Sequence, residues 1–342
     1  MVFFMSAKDP ATGSMLGLAL GDALGYPTEF RSVASIEATY GPWRQLELPR
    51  PALVTDDTQM TLALGRGLRT AMEHGPLTAA TLEPPVRQEF IDWWRSPENN
   101  RAPGNTCLTA CRVLSEPGRP WVAASQTGSK GCGANMRVAP IGLAPGLTDQ
   151  QRAGAAQLQS ALTHGHPTAL AASDLTAWAV RLLAQGADPA ELPTLLRIYV
   201  HGNRTTYHGD WLGDLWQHAG AASPEAFIAY GWDECRGVLD RLDAALRTPD
   251  PETDPCLSVG EGWIAEEALA AGLLCFLLFP EDPVSALRRG ACSAGDSDSL
   301  ACLAGAFAGA HLGADAWPTA WTDRIEYREE LLALGALWDA AA

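Results

Sequence analysis

The sequence lacks the features that mark several large protein classes. None of its eight cysteines, at 107, 111, 132, 235, 256, 275, 292 and 302, forms a C-x-x-C pair, so neither a zinc ribbon nor a thioredoxin-type centre is expected. Cys107 and Cys111 share a helix face but have no matching second pair to complete a metal site, and Cys275 and Cys302 sit in apolar stretches as small core residues. Basic residues are scarce, 24 Lys and Arg against 40 Asp and Glu for a net charge of −16, which excludes extended, salt-driven binding to nucleic acid or to anionic lipid. A pocket for a single nucleotide end stays open to such a chain. No run of about 18 apolar residues exists, because the stretch 272–279 stops at Pro280. The opening MVFFMSAKDP has neither a basic leader nor a long enough apolar segment for a signal peptide. A cytoplasmic protein away from membranes is the expectation. Repeats, low-complexity tracts and strand-period segments are also missing.

What is present is helical patterning. With 342 residues, 47% of them hydrophobic and only 19% charged, the chain can bury a core without disulfide or metal staples. Apolar spacing of the helical period predicts helices over 12–24, from Thr55 to Gly75, and over 84–94 and 104–114, then over 148–162, 168–185, 189–201 and 224–246. The last third is the clearest, with helices expected over 262–279, 283–292, 298–312 and 322–338. Segment 115–133 reads as a Gly, Ser and Pro-rich loop, and the acidic 248–255 as a surface loop. The fold class that follows is all-α, one compact multi-helix domain over 1–342.

Two acid-hydroxyl clusters open predicted helices. Thr55-Asp56-Asp57-Thr58 is one; Gly295-Asp296-Ser297-Asp298-Ser299, leading into a helix of small residues, is the other. Either alone reads as a helix cap, since unpaired amides and the helix dipole favour negative charge there. Together they supply oxygen ligands suited to hard cations such as Mg²⁺ or Mn²⁺. Four carboxylates meeting in space would repel, and a pair of divalent ions about 4 Å apart would remove that repulsion. A third element, the run Gly17 to Phe30, places Glu29 in a loop stiffened by Pro27, where it could close over such a site as a ligand or proton carrier.

The combination of GDALGYPTEF at 21–30, TDDT at 55–58 and GDSDS at 295–299 resembles the ADP-ribosylglycohydrolase family. That family includes the enzyme that reactivates dinitrogenase reductase. Segment 131–143 looks like its GNGAAMRVAPLGL motif, and Thr163-His164 looks like its TH motif; the likeness runs over about 12–321 and is weakest between 195 and 255. It implies a hydrolase that uses two Mg²⁺ ions, with Mn²⁺ as a substitute, to cleave the glycosidic bond between ADP-ribose and an acceptor. Its partners would be the ADP-ribosylated substrate and the ADP-ribose product, and a monomer is the default state.

The resemblance makes Thr55, Asp56, Asp57, Asp296, Asp298 and Ser299 the metal ligands, with Asp298 the bridge, and Glu29, Asp57 and Asp298 the catalytic set. Ser129, Gly131, Cys132, Gly133, Asn135, His164 and Trp263 would face the diphosphate, the riboses or the adenine. Lys130 stands where an aromatic is common and Cys132 where Asn is common, which leaves the acceptor open between arginine, serine, nucleic acid and a small molecule. Two alternatives remain on sequence grounds: a helical metal-dependent nucleotide phosphohydrolase, although no His-Asp dipeptide is present, and a non-catalytic ADP-ribose-binding protein.

Overall fold

The computed structural model describes residues 8–73 and 75–341; the start of the chain, on which the leader reading rested, lies outside them. Among the described residues there are eighteen α-helices and no strand, only the isolated bridges Ala52–Ile325 and Gly131–Ile264. Nine helices position the site: α1 Pro10–Gly25, α2 Asp56–Glu73, α3 Asp149–Ala161, α4 Pro167–Ala184, α5 Pro224–Arg247, α6 Ala265–Leu278, α7 Pro283–Ala291, α8 Ser297–Leu312 and α9 Arg328–Asp339. One apolar cluster runs from Ala11 through these helices to Trp338, with a small satellite of Ile36, Trp43 and Cys292. All eight cysteines are free and buried.

The centre of the fold is the α1–α8 pair. Glycines recur every fourth residue along α1, so they share one face, and each touches the main chain of α8. A Cβ on Gly17 would lie 2.3 Å from the Gly305 carbonyl oxygen, and one on Gly21 would lie 2.1 Å from that of Ala301. Absent side chains thus let the two backbones meet directly. Gly21→Val is expected to cost about 3 kcal/mol or more through overpacking, read as a lower denaturant midpoint. Gly104→Ala, where a Cβ would meet nothing within 4 Å, should leave the midpoint unchanged.

Where elements depart from the sequence expectation, local chemistry explains it. The helix expected over 84–94 begins at Ala79, because Thr78 and Thr81 form a reciprocal cap, and it carries Pro84 and Pro85 inside it. The last helix begins at Arg328 rather than 322, because Tyr327 adopts φ 56° and separates it from the short helix Thr319–Thr322. α6 begins at Ala265, after Gly262 at φ 85° and an extended Ile264. A helix at Val33–Tyr40, capped by Ser32, was not expected. The 248–255 loop is tied down through Glu252, which accepts from the Trp43 indole. No helix among the described residues is long and apolar enough to cross a membrane.

Candidate active site

Close approach of α1 to α8 brings Asp22 beside the acids that open α8. Asp22 is fully buried, and its carboxylate accepts hydrogen bonds from the amides of Thr55 (3.0 Å) and Thr58 (3.1 Å) and from the Thr58 hydroxyl (2.5 Å). An acid on α1 therefore caps α2, which aims the opening turn of α2 at the start of α8. Ser299 Oγ donates to Asp57 Oδ2 at 2.9 Å across 242 residues of sequence. The two acid-hydroxyl clusters meet, as their composition suggested.

Glu29, Asp296 and Asp298 each place a carboxylate oxygen within 4.8 Å of the others. Two oxygens on one hard cation stand at most about 4–5 Å apart, twice a metal–oxygen distance of about 2.1–2.5 Å, so this spacing suits a shared ion. Asp56 is close enough for its charge to act on Glu29, and its Oδ2 accepts from the Gly104 amide. Thr55 lies against both Asp22 and Asp298, whose carboxylates its hydroxyl steadies.

The electrostatics point the same way. Burial, reinforced by the charge of Asp298, pushes Asp22 up to about 7, Asp56 to about 8 and Glu29 to about 9. Asp57 and Asp296 rise well above the ordinary carboxylate range for the same two reasons, and Asp298 rises through burial. Arg137 is buried nearby, but its guanidinium is directed to Gln159 and Thr163 and lies over the Phe90 ring. Six carboxylates with no matching cation among the described residues form a donor set that fits divalent ions.

The glycine-bearing loop 128–135 borders these acids. It is fastened to the start of α6: Cys132 N–H donates to the Trp263 carbonyl (3.1 Å), Ala265 N–H donates to the Lys130 carbonyl (2.9 Å), and Asn135 Nδ2 donates to the Ala265 carbonyl (3.0 Å). The Cys132 amide and the Asn135 carboxamide nitrogen are thus engaged within the chain. The Cys132 thiol is held well up by burial and by the Asp296 and Asp57 carboxylates, so it stays protonated beside the acids. Lys130 Nζ is paired with Glu234 (2.9 Å) and Glu266.

His164 lies behind the loop rather than on its open side. Its ring is 2% exposed, sits about where Cβ atoms on Gly131 and Gly133 would point, and is held neutral by burial, which drives it down to about 3. The helix cap in that stretch is His166, whose Nδ1 accepts from the Thr168 amide. Trp263 stays at the surface of the site, its ring stacked on Phe30 at 5.4 Å. Ser129 Oγ meets Thr106 Oγ1 at 2.9 Å beside an open cleft of about 390 Å³, lined by Asn105, Thr109, Ser125 and Thr127. A roomier cavity of about 660 Å³, walled by Trp178, Tyr199, Tyr207 and Trp211, is lined by Asp149 and Asp210 but by none of the six site carboxylates.

Asp22 was missed as a site residue. It stands alone in an apolar helix, and the signals that could have found it were its place in the GDALGYPTEF motif at 21–30 and its position one residue after a glycine of the contact stripe.

An all-helical domain with a carboxylate centre suited to divalent cations is the class that fold and site define. The family model for ADP-ribosylglycohydrolase matches residues 5–342. The chain is 28% identical over 330 residues to the ADP-ribosyl-[dinitrogen reductase] glycohydrolase of Rhodospirillum rubrum, covering 95% of this chain and 93% of that one. It is 29% identical to the mouse ADP-ribosylhydrolase ARH3, covering 93% and 88%. A solved ADP-ribosylglycohydrolase-related protein complex shares the fold with a TM-score of 0.65 over 98% of both chains, at 23% identity. The chain belongs to the ADP-ribosylglycohydrolase family and is a hydrolase of glycosidic bonds.

Proposed function

We propose that this protein removes ADP-ribose from an acceptor, using two divalent cations, magnesium or manganese, held by Thr55, Asp56, Asp57, Asp296, Asp298 and Ser299. The observation that carries this reading is the convergence of Asp57 and Ser299 at 2.9 Å with the Glu29, Asp296 and Asp298 group beside them. Bound there, the cations would supply Lewis acidity toward the vicinal ribose hydroxyls and the attacking water.

The chain's own groups do the rest. Asp298, whose charge acts on all the other acids of the group, would be a shared ligand for the cations. Water oxygen attacks the anomeric carbon as the bond to the acceptor breaks through an oxocarbenium-like state. Glu29, half-buried at the mouth and ionised once cations offset the neighbouring charge, would take the proton that water loses and return it to the departing acceptor atom, so that one proton passes from water to the leaving group. Loop 128–135 forms the wall for the diphosphate, with the uncharged cleft beside Ser129 extending it. All six acids come from one chain, so a monomer suffices.

A panel of ADP-ribosylated arginine and serine peptides and an ADP-ribosylated nucleic-acid end, with Mg²⁺, Mn²⁺ or chelator, tests the proposal by product mass. Free ADP-ribose and intact acceptor, released only with a cation, are expected from at least one substrate. Release of AMP or phosphate instead would assign the site to a phosphohydrolase, and tight ADP-ribose binding without turnover on every substrate would reduce it to a binding module.

A further inference from the structure

Glu29 lies in the loop that follows the short 3-10 turn Tyr26–Thr28, and its carboxyl makes no hydrogen bond among the described residues; its surroundings act on it through burial and charge alone. Its place must therefore be set by its neighbours in the chain. On one side Thr28 is anchored, its hydroxyl donating within a cluster formed by the Gly25 and Ala291 carbonyls and Ser297 Oγ. On the other side is Phe30, 70% exposed and at φ 61°, a left-handed conformation that a bulky non-glycine residue rarely adopts. An exposed phenyl ring on unfavourable backbone needs a local cause. That cause is Trp263, whose ring lies 5.4 Å from that of Phe30 at 13°, a near-parallel stack.

Trp263 is itself fixed. Its indole N–H donates to Glu261 Oε2 at 3.2 Å, its carbonyl accepts from Cys132, and the Glu261 carbonyl accepts the amide of Asp296 at 2.8 Å. Segment 260–264 thus links the acids of α8, the glycine-bearing loop and, through the stack, the Glu29 loop. We infer that Phe30 is a positioning residue: its stack on Trp263 holds the Glu29 carboxyl against Asp296 and Asp298. The inference rests on the role given to Glu29 above.

Phe30→Ala, Phe30→Tyr, Glu29→Gln and the double variant Glu29→Gln/Phe30→Ala separate the two ideas. Phe30→Ala is expected to lower kcat on the order of 10–100-fold with KM nearly unchanged, the cost of a misplaced group. Phe30→Tyr should restore it, and the double variant should be no slower than Glu29→Gln. Hydrogen exchange of the amides of 29–33 in the cation-free protein should quicken in Phe30→Ala and not in Phe30→Tyr. Wild-type exchange together with wild-type kcat in Phe30→Ala would overturn the inference, and so would a raised KM with unchanged kcat, which would make Phe30 a substrate contact. Wild-type turnover in Glu29→Gln would remove the role given to Glu29, while the exchange result would still decide whether the stack holds the loop.

Discussion

Asp298→Asn is expected to lower turnover by a factor on the order of 10²–10⁴, the range of a group that manages protons or developing charge, and at the same time to raise the melting temperature of the cation-free protein. Both effects come from one cause. After burial itself, the charge of Asp298 is the largest influence pushing up Asp22, Glu29, Asp56, Asp57 and Asp296. Replacing it with an isosteric amide removes the repulsion these groups share, and removes a carboxylate that the proposed cation site depends on. The Mg²⁺-dependent rise in melting temperature should shrink in the same variant. Parallel measurement of hydrolysis and of thermal unfolding, with chelator and with Mg²⁺, checks the pair. Full hydrolysis by Asp298→Asn, or a lower melting temperature in chelator, would contradict the account.

The second large effect is a reversal of the usual pH dependence. A carboxyl whose folded pKa lies above its unfolded value binds more protons folded than unfolded, so it supports the fold at low pH and loses that contribution as pH rises. Asp22, Asp56 and Glu29 titrate at about 7, 8 and 9 in the folded chain, against about 4 unfolded. In chelator the melting temperature should therefore fall steadily between pH 4 and pH 9. Cations that bind the ionised form would offset part of that loss: at 100 times Kd they contribute about 2.7 kcal/mol. Unfolding scans across that range, with and without Mg²⁺ or Mn²⁺, should diverge as pH rises. Superimposed curves at pH 8 would mean that no cation is held there.

Much of the fold could be read from the chain because its helices carry local signals. Ser223 before Pro224 and Asp282 before Pro283 cap their helices through side-chain oxygens, and both starts follow from sequence. The helix containing Pro84 and Pro85 could not be placed the same way, because a proline pair argues against the helix that the Thr78 cap nonetheless starts. Tyr327 gives no warning that its backbone turns left-handed.

At the site, acid-hydroxyl spacing made the α2 and α8 openings visible. Asp22 stayed hidden because its partners, Thr55 and Thr58, sit on another helix. Lys130 was recognised as a departure, but its engagement by Glu234 and Glu266 depends on α5 and α6 folding beside the loop. The Phe30–Trp263 stack joins two rings 233 positions apart, beyond the reach of any periodicity.

Where α1 crosses α8, main chain rests on main chain. The gap between Asp22 and Asp298 is consequently a fixed gauge, insensitive to side-chain repacking elsewhere in the bundle. Variation in the rim can change which molecule is admitted; the spacing of the acids behind it is set by the glycines.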